Sequence, residues 1–226
     1  MKGLITICFL TLLFPVQAQD RKHALYAVGI DGFKNLPFLF ISQEEYGFSN
    51  PAIFEVYASF TTKKPRTLLN VGLGYAAINH QAVDRLAQHI TGYYAKIGRE
   101  YRGRIRKGNE SVLWGCNLTL TSAKVSSAID IQGKYFPSYQ VKLPNESGLG
   151  INIDFCTGIN FLLFRRLEAR FIARYAFILS NIGHPNATYL PGAGVRFWNR
   201  PFTITEGGTI QLFYLTKRVP KRITSD

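Results

Sequence analysis

Residues 149–179 read LGINIDFCTGINFLLFRRLEARFIARYAFIL, two alternating runs joined at the basic pair Arg165-Arg166. On the first arm Ile151, Ile153 and Phe155 share one face, and Asn152, Asp154 and Cys156 the other. On the second arm Leu167, Ala169, Phe171, Ala173, Tyr175 and Phe177 share a face, with Arg166, Glu168, Arg170 and Arg174 opposite. Side chains two apart fall on one side of a strand, so this stretch predicts a long β-hairpin. A face that is apolar along its whole length, backed by a charged one, fits two solvents. A soluble sheet would put the charges in water. A membrane barrel would put the apolar face to lipid and the charges in its lumen.

The chain opens MKGLITICFLTLLFPVQAQD. Lys2, the apolar stretch after it and the small-residue site Val16-Gln17-Ala18 form a secretory signal peptide, assigned to residues 1–18. The apolar run falls short of the roughly 18 residues that a spanning helix needs. No later stretch is apolar and unbroken at that length, which excludes a helical membrane protein. Residues 19–226 are expected to form a single β-barrel domain. Aromatics make up 14% of the chain and charged residues only 18%, a balance that favours strands and fits aromatic girdles at a membrane. The formal charge of +13 invites a nucleic-acid reading, which export argues against.

Further strands are expected around residues 25–33, 52–60, 69–77, 91–102, 111–122 and 208–218. With the hairpin they make eight. Short connections alternate with long loops, expected at 34–50, 79–90, 123–147 and 179–207. The prediction is an all-β, up-and-down antiparallel transmembrane β-barrel of eight strands, since bacterial barrels have even counts, short turns at one end and longer loops at the other. The count becomes ten if Val195 to Trp198 forms a full strand and finds a partner in 123–147. Residues 80–90, HQAVDRLAQHI, break the alternation and are expected as a loop with a short helical turn.

Gly29-Ile30-Asp31, Tyr94-Ala95-Lys96-Ile97-Gly98 with Tyr101, Tyr189-Leu190-Pro191-Gly192 and Gly207-Gly208-Thr209 resemble an uncharacterised family of Bacteroidota outer-membrane β-barrel proteins. The resemblance implies export to the outer membrane and a barrel fold. It implies no activity. At the position after the final glycine pair and threonine, where the family usually has Trp, this chain has Ile210.

Two groups of charges follow from the predicted faces. The inward group is Glu55, Lys96, Glu100, Arg102, Asp154, Glu168, Arg170 and Arg174, expected as a ladder of ion pairs, because a small barrel is filled by its own side chains and buried charges must be paired. The second group collects at the short turns and C-terminal tail: Lys63, Lys64, Arg66, Arg104, Arg106, Lys107, Arg165, Arg166, Arg218, Lys221 and Arg222. This basic rim is expected to be solvated, or to meet anionic lipid headgroups or an acidic periplasmic partner. The sequence leaves open which side of the membrane carries it.

Cys116 falls on an apolar face and Cys156 on a polar one. Opposite faces of a sheet cannot reach disulfide geometry, so both thiols are expected to be free. His80, His89 and Asp84, and separately His184, are assigned to loops. Neither a serine at useful spacing nor a metal-ligand pattern accompanies them. No catalytic residue, metal or cofactor is expected. The sequence supports a non-enzymatic outer-membrane barrel with a filled interior, acting as a structural or interaction component. The alternative is a soluble, lipocalin-like exported barrel holding an apolar ligand. A lipid-modifying outer-membrane enzyme is the third reading. The first two differ in where the charges lie: inside the membrane barrel, outside the soluble one.

Overall fold

The structure is a computed structural model. It describes residues 24–31, 48–64, 66–81, 86–104, 110–133, 135, 137–182, 187, 189–195 and 204–216. The signal peptide lies outside the described residues.

The strands are β1 (Leu25–Asp31), β2 (Phe48–Thr61), β3 (Thr67–Gln81), β4 (Leu86–Arg104), β5 (Glu110–Ile131), β6 (Tyr139–Lys142), β7 (Glu146–Phe164), β8 (Leu167–Ile182), β9 (Tyr189–Leu190), β10 (Gly194–Val195) and β11 (Ile204–Leu215). Eight of them close a ring in the order β1-β2-β3-β4-β5-β7-β8-β11, with β11 returning to β1 and every pairing antiparallel. Closure removes the unpaired edges that an open sheet would expose. Among the described residues the closed ring holds eight strands, not ten. β9 and β10 pair only with each other, and β6 pairs with the far end of β5 beyond the ring.

Three expected loops are shorter than the alternation implied. β3 and β4 run through most of 79–90 and leave only 82–85 between them. β5 continues to Ile131, and β8 reaches Ile182. His80 and His89 are therefore strand residues, not loop residues. His89 Nδ1 lies 2.6 Å from Asn79 Oδ1, on the facing residue of β3. Asp84, His184, residues 34–47 and Arg196 to Trp198 lie outside the described residues.

The outer wall is apolar. Phe54, Leu73, Tyr93, Ile97, Trp114, Leu118, Leu120, Phe155, Phe171 and Tyr175 are all exposed. On β5 the outward series Val112, Trp114, Cys116, Leu118, Leu120 gives way to Ser122 and Lys124. That series spans about 27 Å along the strand, or roughly 20 Å along the axis at a tilt of about 40°. Outward tyrosines mark the two heights on β4. Tyr93 pairs with Tyr75 at 5.1 Å between ring centroids, and Tyr101 with Trp114 at 5.1 Å. Buried polar residues, among them Glu55, Lys96, Glu100, Asn152, Asp154, Arg170 and Gln211, line the inside.

The cysteines sit on opposite sides of this wall. Cys116 is exposed in the apolar belt, while Cys156 lies on the inward face of β7. In membranes, a lipid-permeant maleimide is expected to label Cys116 alone of this pair, and a charged aqueous one to label neither. Peptide mass spectrometry reads the outcome, and preferential modification of Cys156 would reverse the assignment of faces.

Candidate functional site: the barrel interior

An eight-stranded barrel is narrow, so each large inward side chain needs a small residue facing it. Glycines on neighbouring strands supply the room. A Cβ at Gly29 would stand 2.6 Å from the Phe213 ring, and one at Gly72 would stand 3.0 Å from Tyr57. Gly74 faces Tyr94 in the same way. The interior is therefore a packed column, and it changes character from one end to the other.

At the long-loop end the column is apolar. Ile53, Ala76, Ile78, Ile90, Tyr94 and Val125 form a buried cluster with Ala187 and Tyr189. The last two belong to the β9–β10 segment, which enters the barrel. Tyr189 and Leu190 are buried. Thr121 Oγ1 donates to the Pro191 carbonyl at 2.7 Å. Two barrel glycines make the seat: a Cβ at Gly92 would meet Pro191 at 2.9 Å, and one at Gly150 would meet Leu190 at 3.1 Å. Gly192 turns the hairpin at φ +82°, a left-handed conformation that favours glycine. Burial holds the Tyr189 phenol well above its ordinary pKa, so it stays neutral and adds no charge to the apolar end. The sequence placed Tyr189-Leu190-Pro191-Gly192 in an outer loop; the structure folds that stretch inward as a stopper.

Below the stopper the column is charged. Lys96 Nζ lies 3.6 Å from Glu55 Oε1 and 3.5 Å from Asp154 Oδ2. The Tyr94 hydroxyl donates to Glu55 Oε2 at 2.9 Å. Asp154 also accepts from Asn117 Nδ2 and from Thr119 Oγ1. Arg174 Nη2 lies 3.7 Å from Asp31 Oδ2, and Asp31 accepts from Thr209 and Gln211.

Nearest the short turns four charges form a closed ring of pairs. Arg102 donates twice to Glu168, at 2.9 and 3.1 Å, and once to Glu100, at 2.7 Å. Arg170 donates to Glu168 at 2.6 Å and to Glu100 at 3.1 Å. The guanidinium of Arg170 also stacks 3.5 Å over Phe213, and Asn70 donates to Glu100 at 3.0 Å. Each carboxylate thus has two cationic partners, the arrangement that offsets the desolvation of buried charge.

All eight residues of the expected inward ladder lie in this column, in three connected groups. Two contributors lay beyond the reach of alternation, Asp31 and Tyr26. Tyr26 turns inward at a register shift between Leu25 and Ala27, and its hydroxyl accepts from Arg102 at 3.1 Å. Arg166 goes the other way. Alternation grouped it with Glu168 and Arg170, but as a turn residue it leaves that face and donates to the hydroxyl of outward Tyr214 at 2.7 Å.

Of the basic rim, Lys63, Lys64, Arg66, Arg165 and Arg166 stand on two turns at the same end of the ring. Arg104 ends β4 there. Arg106, Lys107, Arg218, Lys221 and Arg222 lie outside the described residues. Among the described residues no group of three His, Cys, Asp or Glu side chains is placed to hold a metal ion.

No protein-family model matches the chain, and no curated protein sequence does. Among solved structures the chain is similar to Neisserial surface protein A, at a TM-score of 0.44 and 10% identity, over 86% of this chain and 97% of that one. The closed ring described above therefore stands on its own strand pairing.

Proposed function

We propose that this chain is an outer-membrane β-barrel whose interior is filled by its own side chains, and that it serves as a structural or interaction component. The supporting observation is the inversion of polarity. Trp114, Leu118, Leu120 and Phe155 stand exposed on the wall, while Glu55, Lys96, Glu100 and Arg170 are buried inside. In water this arrangement would expose a continuous apolar belt, far beyond the patch of a few hundred Å² that a soluble monomer tolerates. In a bilayer it is the stable one, because each strand of the closed ring pairs with a neighbour on both sides and the belt meets hydrocarbon. A soluble cup for an apolar ligand would need the opposite arrangement. The stopper and the paired charges speak against an open channel. The likeness to Bacteroidota barrels supports the same address.

The test is partitioning. The protein is expected to stay in the pellet after a carbonate wash of outer membranes and to migrate faster on gels before boiling than after. Release into the supernatant with no change in mobility would refute the membrane reading.

A further inference from the structure

The belt carries one conspicuous exception among the described residues. Arg99 points outward on β4, between Ile97 and Tyr101, and it is exposed. Its facing residues are Leu69 on β3 and Cys116 on β5, neither of which can satisfy a guanidinium. Glu100, the adjacent acid, faces the interior, where Arg102 and Arg170 occupy it. No described carboxylate is ion-paired with Arg99. An arginine on a lipid-facing wall is costly at the midplane and is tolerated near the interface, where its long stem can bring the charge to the headgroups.

Arg99 faces Cys116, the middle of the outward β5 series, and stands two residues, about 5 Å along the axis, above Tyr101, whose ring packs against Trp114 at the lower aromatic height, so its long stem has to carry the charge down past that ring pair. Arg66 is three residues along from Leu69, the residue facing Arg99, so their backbones are about 10 Å apart. Arg66 is exposed, and its turn is fixed by a 2.9 Å hydrogen bond from the Arg102 amide to the Arg66 carbonyl. Lys64 is exposed on the same turn. Three exposed cations, one above and two below an amphipathic ring pair, therefore stand toward the short-turn end of the wall. A guanidinium binds a phosphate through two parallel N–H donors, and a lysine adds a point charge.

We propose that Arg99, with Arg66 and Lys64 below it and the Tyr101–Trp114 pair beside it, holds the phosphate of an anionic phospholipid on the outer wall of the barrel. The inference rests on the membrane reading above.

The experiment counts bound lipids by native mass spectrometry on the full-length protein in neutral detergent, supplied with phosphatidylglycerol or with phosphatidylcholine. The wild type is expected to retain phosphatidylglycerol about fivefold better, the scale of one basic residue at a charged surface. Arg99→Leu is expected to abolish the preference, Arg99→Lys to keep part of it, and Lys124→Leu, on the exposed wall toward the long-loop end, to leave it unchanged. Equal retention of both lipids by the wild type, or an undiminished preference in Arg99→Leu, would overturn the site. Should Arg99→Leu fail to fold, the pair Lys64→Ala with Arg66→Ala gives the same reading from the turn. The heat-dependent gel shift, run on each variant, separates the two proposals. A folded, membrane-held barrel without lipid preference sinks only the lipid site, whereas a chain that never associates with neutral vesicles sinks both.

Discussion

Replacing Arg170 with methionine is expected to destabilise the barrel by about 3–5 kcal/mol, the usual cost of removing one partner from a buried ionic cluster. Arg170 is buried and bonds to both Glu100 and Glu168. Without it, Arg102 is left as the one ion-paired cation facing two largely buried carboxylates. The methionine keeps some apolar contact with Phe213, so the loss is mainly electrostatic. Urea unfolding in lipid vesicles, followed by the fast-migrating unboiled band, measures it. Adding Glu168→Gln to Arg170→Met is expected to recover part of the loss, since it removes a stranded charge along with its partner. A single variant within about 0.5 kcal/mol of wild type, the ordinary range for surface changes, would show that the four-charge ring contributes little.

Tyr94→Ala is the second large effect, about 3–5 kcal/mol for deleting a buried aromatic ring. Tyr94 links the two halves of the column. Its ring faces Gly74, packs under Gly192 of the stopper and lies 5.3 Å from Lys96 Nζ. Its hydroxyl reaches Glu55. Removing the ring should both loosen the stopper and weaken the charged layer. Tyr94→Phe keeps the ring and loses only the hydrogen bond, for about 1–3 kcal/mol. Gly74→Val attacks the same contact from the other side and should resemble Tyr94→Ala. A cysteine placed at Leu190 reports on the stopper. It should resist an aqueous maleimide in the wild-type background and react in Tyr94→Ala. Protection that survives the loss of the ring would mean that the hairpin is held by Thr121 and the glycine seat alone.

The ring itself was legible in the sequence because each spanning strand meets two different solvents. Within the belt, Trp114, Leu118 and Leu120 face out and Thr119 and Thr121 face in, so alternation is strong. The same physics explains where the reading failed. Above the belt the polarity reverses: Asn79 and His89 face each other on the outside of β3 and β4, while Ile78 and Ile90 face inward, so the apolar-out, polar-in pattern that marks the belt is lost. Residues 80–81, 86–90 and 123–131 therefore looked like loops while carrying ladder pairing. The inward charges were recoverable from period two wherever the strand is regular. They were hidden in β1, where Gly29 dilutes the pattern and the register shift beside Ala27 turns Tyr26 inward. The stopper left no local signal. Its Pro191 and Gly192 mark a turn, and only the fit against Gly92, Gly150 and Thr121 says that the turn goes inside.

The seam where the ring closes has a consequence for assembly. Among the described residues β1 and β11 share four register pairs, Ala27 to Ile30 against Leu215 to Leu212, while β4 and β5 run paired from Leu86 to Arg104. The seam is finished by Thr216, whose hydroxyl bonds to the Leu25 carbonyl across 191 residues of sequence. Contacts that distant are entropically the last to form. The stopper hairpin lies immediately before β11 in the chain. A sheet still open along that edge can receive the hairpin sideways, whereas a closed one would admit it only through its mouth. If the ring closes last at this seam, the barrel wraps around its own stopper from the β1–β11 side.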